Sequence, residues 1–453
     1  MKATPKRGTL RTLVVVTVTI SERWAIGAVA DATATVQLPV MLDRRPGRAS
    51  TPFVPASGLV GSLRRALPDV EATRLLGPDI GLWEVRRDHS LKDQDARPGT
   101  IAFLGTLPVD AGLSSRGATR VDPERGAASD NTLREEQWVE PTAVRLALLH
   151  DGAVDEPLLD ALKAWRPQVG RSRTAGMGWG HVSHLRHVTV DLGDPDQLTW
   201  WLDGRRQEWL ETGAETPDGI AMSVWAHNAP TRPEDAPAPL ADLTVWKLRV
   251  AERIHVGTGQ QEEVSGSIVG APLRSGGRLT IPGSSWKGVF RHRAETILNA
   301  VFASDKQRDG IVGVLFGTVA DTAAAKRGEQ ARRGRLVFLD SPTAVRQGSP
   351  RTHVAIDRFT GGARDSALHT VVAIPEDTPL TLRIGHAGTA DSAVRNLLEH
   401  IIRDLHEGLA TVGRGGTRGY GRVQRDEDAP VLRPVSVGKL LAECGLDEKG
   451  ERG

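Results

Sequence analysis

The sequence predicts an α+β protein built from two tandem copies of one domain. Four sequence blocks occur twice in the same order, strand-like and helix-like hydrophobic patterns alternate, and a proline-rich segment separates the two sets of blocks. The chain has 453 residues, which is too long for one typical domain and suggests two or three.

The four repeated blocks keep a nearly constant separation between the two copies. They pair residues 22–27 with 252–257, 54–64 with 281–291, 101–133 with 336–368, and 169–182 with 412–423. One such match would be chance, whereas four in register indicate an internal duplication.

The apolar run at residues 13–20 predicts the first strand. It could also be taken for the core of a secretory signal, but it is short and β-branched, and the charged residues Glu22 and Arg23 follow it. No segment approaches the length of apolar sequence that spans a membrane.

Two helices are predicted in the second copy. One follows Ser284 and Ser285 as candidate caps, and the other carries an apolar stripe formed by Val394, Leu397, Leu398, Ile401, Ile402, Leu405 and Leu409. Two helices alternating with strands in each copy suggest a βαββαβ plan, the ferredoxin-like or RRM-like fold. The predicted organisation is a first domain at 1–227, a proline-rich linker at 228–242, a second domain at 243–430 and a C-terminal tail at 431–453.

Composition excludes some classes of site. The one cysteine, Cys444, excludes an intrachain disulfide framework and a multi-cysteine zinc site, and it fits a reducing cytoplasm. The 58 basic and 56 acidic residues nearly cancel to a net charge of +2, so basic segments matter more than the total. The histidines show no metal-ligand spacing, and no cofactor-binding motif is present.

The second block of each copy predicts a turn followed directly by a helix. Backbone N–H groups at a helix N-terminus attract phosphate, and nearby hydroxyl and basic side chains add donors. The candidate RNA-binding residues are Ser57 and Arg64 in the first copy, and Ser284, Ser285, Lys287 and Arg291 in the second. The alternative is an ordinary helix start with solvated basic residues.

The fourth block is a glycine-rich loop that bears arginines. Glycines let backbone approach a ligand closely, arginine binds phosphate in a bidentate manner, and an aromatic ring can stack on a base. The candidate RNA-binding residues are Arg171 and Arg173 in the first loop, and Arg414, Arg418, Tyr420 and Arg422 in the second. Trp179 and Tyr420 are equally well explained as core residues beneath the loops.

The third block of each copy leads into a segment that mixes charge with glycine. Segments 116–136 and 351–370 contain the paired residues Asp122 and Asp357 and lack a clean core period. We interpret them as protruding hairpins, with a disordered surface insertion as the alternative.

These blocks resemble the RAMP superfamily of CRISPR-associated proteins. The motifs that carry the resemblance are residues 281–291, residues 354–363 with Arg358, and the last glycine loop. The likeness is strong in the second copy and weaker in the first, and it is closest to fused two-domain backbone subunits of type III effectors of the III-D kind. It implies that each copy binds CRISPR RNA and that the hairpins at Asp122 and Asp357 act as thumbs interrupting the guide–target duplex.

The resemblance also implies partners and, in active members, a catalytic aspartate. The implied partners are CRISPR RNA, target RNA and other effector subunits, in the cytoplasm and without a membrane. In active members a loop aspartate supports Mg²⁺-dependent cutting of target RNA, but the aligned positions here are Gln37 and Val269. Asp31 and Asp43 are the remaining candidates, both in the first copy.

Three functions therefore stay open at this point. The leading interpretation is a scaffold that holds guide RNA, and the alternative is a metal-dependent endoribonuclease that uses Asp31 or Asp43. A repeat-processing ribonuclease that acts through histidine is the third.

Overall fold

The structure of this chain is a computed structural model that describes most of its residues. The described ranges are 8–28, 36–43, 50–78, 98–107, 109–119, 121–122, 127–128, 132, 134–154, 156–214, 216, 220, 222–226, 243–264, 267–301, 303–318 and 331–451. The predicted linker, residues 228–242, lies outside them.

The first half contributes eleven strands to the described part of the chain. They are β1 (Leu10–Ile20), β2 (Leu42–Asp43), β3 (Thr51–Pro52), β4 (Ile101–Thr106), β5 (Leu113–Ala118), β6 (Val121–Asp122), β7 (Ala127–Ala128), β8 (Arg134–Val139), β9 (Thr142–Asp151), β10 (Gly180–Asp191) and β11 (Ser223–Ala226). Its helices are α1 (Ala56–Ala66), α2 (Asp69–Leu76), α3 (Glu156–Ala164), α4 (Pro195–Leu202) and α5 (Arg205–Thr212).

The second half repeats the alternation of strands and helices. Its strands are β12 (Leu243–Val250), β13 (Gly257–Val264), β14 (Ser267–Pro272), β15 (Arg274–Ser275), β16 (Arg278–Ile281), β17 (Val337–Phe338), β18 (Ser341–Pro342), β19 (Ser349–Ile356), β20 (Ala363–Ala373), β21 (Pro379–Gly385) and β22 (Val423–Arg425). Its described helices are α6 (Gly283–Ala300), α7 (Asp305–Phe316), α8 (Ala393–His406) and α9 (Val437–Cys444).

The main sheet of the first half has the strand order β11-β10-β1-β9-β4, and its neighbouring strands are antiparallel. The predicted first strand is its central strand, β1. Because side chains alternate across a strand, Val14 and Val16 face the core beneath α1 and α3. Leu13 and Val15 face a second core, which α4 and α5 cover. The sheet therefore has helices on both faces.

The main sheet of the second half has the order β17-β21-β12-β22, again antiparallel. Read from β22 to β17, the four strands correspond in order to β10, β1, β9 and β4 of the first half. The stripe predicted on α8 is buried in the core, with one exception. Leu409 lies beyond the end of the helix at His406 and is 59% exposed. The mixed α+β class is confirmed, and the architecture is consistent with ferredoxin-like folds.

Matching backbone hydrogen bonds hold the two glycine loops. The Gly178 N–H donates to Arg23 O over 3.0 Å, and the Gly421 N–H donates to Arg253 O over 2.9 Å. In the same loops, the Arg171 N–H donates to Ala25 O over 2.9 Å, and the Arg414 N–H donates to His255 O over 2.8 Å. Each loop is thus tied to the residues that follow the first strand of its own half.

Two local expectations differ from the structure. Ser284 and Ser285 lie inside the first turn of α6, where Pro282 takes the capping position without a side-chain hydrogen bond. The segment predicted as a C-terminal tail contains α9, whose Leu440 and Leu441 pack into the core of the second half. Within the described residues, no helix is long and apolar enough to cross a membrane.

The two halves meet through the first glycine loop and one buried ion pair. Arg23 Nη2 lies 2.8 Å from Asp340 Oδ2, and both side chains are 2% exposed. The other Asp340 oxygen, Oδ1, accepts the Gly283 N–H over 2.8 Å at the start of α6. Trp179 from the loop packs on Val337 and Leu339. Asp340 therefore joins the two halves and also fixes the start of a helix.

Glu22 adds a titratable group to this junction. Burial raises the pKa of the Glu22 carboxyl to about 8, although Arg383, 3.3 Å away, opposes the rise. Although burial by itself lowers the pKa of Arg23, the attraction of Asp340 raises it above its usual value. At pH values between the ordinary and the raised pKa, such a carboxyl is protonated in the folded state and ionised in the unfolded chain.

We expect Arg23→Ala to reduce the free energy of unfolding by about 3–5 kcal/mol, because it leaves the buried Asp340 charge without its partner. Urea unfolding of the full chain measures this. The matched control is Arg249→Ala, which removes the exposed pair with Asp426 and should cost less than about 1 kcal/mol. Equal losses in the two variants would contradict a special role for the junction.

We also expect Glu22→Gln to flatten the dependence of stability on pH. In the wild-type chain, the folded state binds more protons than the unfolded state between the ordinary glutamate pKa and about 8. Its stability should therefore fall as pH rises through that window, and the variant should lose this contribution. Urea unfolding midpoints at pH 5.5, 7 and 8.5 give the slope of stability against pH. These pH values lie across the window that the raised pKa of Glu22 defines. Identical slopes would show that Glu22 does not titrate in this range.

Candidate nucleic-acid interface

A cleft of about 330 Å³ lies between the start of α1 and the first glycine loop. Its polar lining includes Ser57, Gly58, Arg171 and Arg173. The helix begins after Pro55 without a side-chain cap, so its positive end faces the cleft without a carboxylate from a capping residue. The predicted turn and the predicted loop of the first copy are therefore brought together, as a phosphate site requires.

Two arginines of the loop are held in place by backbone carbonyls. Arg171 Nη2 donates to Gln137 O over 2.8 Å, and its guanidinium lies 5.0 Å from the centre of the Trp138 ring. Arg173 Nε donates to Gly170 O over 2.8 Å. Burial lowers the pKa of both guanidinium groups, and Arg65 adds to the effect at Arg173. The arginines are thus oriented before any ligand binds.

A cluster of basic side chains continues from this cleft to the junction between the halves. Burial is the main reason that the pKa of Lys287 is lowered to about 8, and the positive charges of Arg291 and Arg333 contribute to the decrease. Burial lowers the pKa of Arg333 as well, and Arg173 and Arg65 are the charges that act on it. The charges that shift these pKa values are all cations. An anionic ligand would relieve their mutual repulsion.

The corresponding turn of the second copy is closed. Asp340 accepts the first N–H of α6, and a Cβ at Gly283 would lie only 2.6 Å from Ala175 O of the first loop. Lys287 Nζ donates to Thr174 Oγ1 over 2.7 Å. A carboxylate and a neighbouring loop thus occupy the space where the sequence predicted a phosphate site. Ser284 remains exposed, and Ser285 is half-buried.

Arg64 and Arg291 play the same structural part in the two copies. Arg64 Nη2 donates to Gly77 O over 2.8 Å, and Arg291 Nη1 donates to Gly317 O over 2.8 Å. Each guanidinium therefore caps the C-terminal end of the next helix. Both residues were predicted to contact RNA, and the structure engages them in this capping.

The hairpin of β19 and β20 ends in a tight turn organised by Asp357. Its Oδ1 accepts the N–H groups of Phe359 and Thr360, both over 2.9 Å, and these bonds lower the pKa of Asp357. The turn presents Phe359, which is 84% exposed, with the Arg358 guanidinium 4.8 Å from its ring centre. The side chain of the paired residue, Asp122, lies outside the described part of the first hairpin.

The second glycine loop meets two histidines that the sequence did not single out as a pair. The His353 and His369 rings stack with their centres 5.3 Å apart. Tyr420 is buried, and its hydroxyl lies 2.6 Å from His353 Nε2. Arg418 Nη1 lies 3.3 Å from His369 Nε2. Tyr420 thus packs beneath the loop, the alternative that the sequence left open.

The remaining predicted residues are less constrained. The Arg414 side chain is exposed, and Arg422 is half-buried before β22. Asp43 ends β2 and is half-buried, whereas Asp31 lies outside the described residues. Over the ranges that the structure describes, no three His, Cys, Asp or Glu side chains are grouped to hold a metal ion.

The fold and the cleft define an α+β protein with a site suited to phosphate groups. The family model of the RAMP superfamily matches residues 247–424, most of the second half. This match supports a CRISPR-associated RAMP protein and suggests an RNA-binding subunit. A search of curated proteins found no match to the sequence.

We expect Arg173→Ala to weaken binding of single-stranded RNA by roughly threefold to tenfold. The slope of the logarithm of the binding constant against the logarithm of the salt concentration should become shallower by about 0.7 for each lost phosphate contact. Fluorescence anisotropy with labelled RNA at several salt concentrations measures both. Arg205→Ala is the control, since α5 covers the opposite face of the first sheet. The cleft is not an RNA site if the two variants bind alike.

Proposed function

We propose that this protein is a backbone subunit of a type III CRISPR ribonucleoprotein, in which it binds CRISPR RNA and positions target RNA. In this proposal each half is a RAMP domain, and the two hairpins serve as thumbs. The observation that carries the proposal is the basic surface that runs from the cleft at Ser57 and Arg173 to Lys287 and Arg333. The family match of the second half supports the same assignment.

The charge pattern favours a long anionic ligand over a small one. In addition to burial, the charge of Arg65 lowers the pKa of Arg173, and the charges of Arg173 and Arg65 lower the pKa of Arg333. The charges of Arg291 and Arg333 add to the effect of burial on the pKa of Lys287 in the same way. This chain of neighbours extends from the first half into the second. A polymer with regularly spaced phosphates can neutralise all of these cations at once.

The exposed tip of the second hairpin supports a role beside a nucleic-acid duplex. Phe359 and Ile356 belong to the same hairpin and are 84% and 68% exposed, and apolar side chains exposed together commonly mark a contact surface. An aromatic ring backed by a guanidinium can stack on an unpaired base. We propose that Phe359 makes this contact.

The proposal treats the protein as a scaffold for RNA. The test is a reconstituted complex with guide RNA, complementary target RNA and Mg²⁺, with cut positions read on a sequencing gel. We expect guide RNA to remain bound and Asp43→Ala to leave every target cut in place. A cut that disappears in Asp43→Ala or Asp31→Ala would instead make this chain an endoribonuclease. Failure of the complex to retain guide RNA would refute the proposal itself.

A further inference from the structure

A pair of stacked histidines lies on one face of the second hairpin. His353 on β19 and His369 on β20 are direct cross-strand partners, and their ring centres are 5.3 Å apart. Residues two apart along a strand also share a face, which places Arg351 beside His353. The second glycine loop meets this face, because Tyr420 and Arg418 each contact one of the histidines. The pair belongs neither to the cleft of the first half nor to the hairpin tip, so it forms a separate group of titratable side chains.

The hydrogen bond between Arg418 and His369 defines the protonation state of His369. Arg418 Nη1 lies 3.3 Å from His369 Nε2. A guanidinium can only donate hydrogen bonds, so Nε2 accepts this bond and carries no proton. The ring is therefore neutral in this arrangement, with its proton on Nδ1. A proton added to Nε2 would remove the acceptor and place a second positive charge beside the guanidinium, and Arg418 would be released.

The charged groups that face His353 are basic. Burial lowers the pKa of its imidazole, and the positive charges of His369, Arg418 and Arg351 lower it further. The Tyr420 hydroxyl is a neutral partner, 2.6 Å from His353 Nε2. Among the residues that the structure describes, no carboxylate opposes the decrease in this pKa. A proton on the pair is therefore unfavourable until an anion binds beside it.

The acidic residues of the same sheet lie away from the pair. In the strand order β13-β14-β20-β19, a whole strand separates Glu262 and Glu263 of β13 from β20. Glu262 Oε1 also lies 3.6 Å from Arg274 Nη2. On the loop side, the positive charge of Arg414 adds to the effect of burial in lowering the pKa of His255, whose Nδ1 donates to a carbonyl of β20. The loop side of the pair is thus basic as well.

We propose that this face is a phosphate site that takes up a proton when RNA binds. A phosphate oxygen accepts from Arg418 in place of His369 Nε2, and His369 takes a proton from solvent and donates it in a hydrogen bond to the same phosphate. The ligand is a backbone phosphodiester, whose charge is constant near neutral pH, unlike that of a terminal phosphate, which changes at about pH 6. This inference rests on the proposed binding of RNA and adds that acid strengthens it.

The sign of the pH effect follows from the charge of the ligand. An anion beside an imidazole raises its pKa, so the bound state holds more protons than the free state in the ordinary histidine range. Binding should therefore strengthen as pH falls, by up to about tenfold per pH unit for each proton taken up. Lys287 and Glu22 have pKa values of about 8, so both keep their protons at about pH 5.5 to 7, where histidine titrates.

The test measures the affinity of the full chain for a labelled single-stranded RNA without terminal phosphates, at about pH 5.5, 6.2 and 7. We expect roughly threefold to thirtyfold tighter binding at the lowest pH than at the highest. The double variant His353→Gln with His369→Gln should lose most of that difference, because glutamine keeps an acceptor for Arg418 but takes up no proton. The matched control is His400→Gln on α8, where the ring contacts Arg433 O, and it should keep the wild-type dependence.

A second measurement on the wild-type chain does not depend on the folding of a variant. NMR titration of the imidazole signals should show that bound RNA raises the pKa of His353 and His369. Wild-type binding that is independent of pH, or an equal dependence in the double variant, would overturn the inference and leave the proposed function in place. A dependence seen only with RNA that carries a terminal phosphate, or imidazole pKa values unchanged by bound RNA, would overturn it too. Absence of RNA binding at every pH would refute the proposed function and this inference together.

Discussion

Asp340 carries the interaction on which the arrangement of the two halves depends. One of its oxygens binds Arg23 of the first half, and the other accepts the first N–H of α6. Both charges are almost completely buried, so their desolvation is compensated only while the pair is intact. The glycine loop, with Trp179, can rest on β17 because this pair brings the two halves together.

This constraint gives the two copies different tasks. In the second half the first N–H of the helix is taken by the Asp340 carboxylate, and the first loop packs against the helix start. In the first half the helix start is open and faces Arg171 and Arg173 across a cleft. The start of α6 therefore contacts the neighbouring half, whereas the start of α1 lines a cleft. The basic cluster follows the seam between them.

Much of the fold could be predicted because it depends on local patterns. The β-branched run gave the central strand β1, and the apolar stripe from Val394 to Leu405 gave α8, which begins and ends within a few residues of the pattern. Helices α2 and α7 end at Leu76 and Phe316, and each is followed directly by a glycine, the residue type that most often follows a helix end. Leu409 fell outside because it follows the last turn of the helix.

The site was harder to predict because it depends on contacts between distant residues. Arg64 and Arg291 look like phosphate ligands in the sequence, yet each binds a carbonyl beyond the following helix. Lys287 donates a hydrogen bond to Thr174, which is more than a hundred residues away in the sequence. His353 and His369 become neighbours only because β19 pairs with β20. Residue type and spacing identified the segments, and the packing of the halves decided which of them remained open.

Crosslinking of guide RNA to this chain in the assembled complex tests the central claim most directly. Ultraviolet irradiation followed by mass spectrometry of the linked peptides locates the RNA on the surface. The account predicts links at residues 54–58 and 170–173 of the first half, with residues 281–285 largely free of them. Links concentrated at 281–285 would contradict it, because they would require Asp340 and the first loop to leave the start of α6.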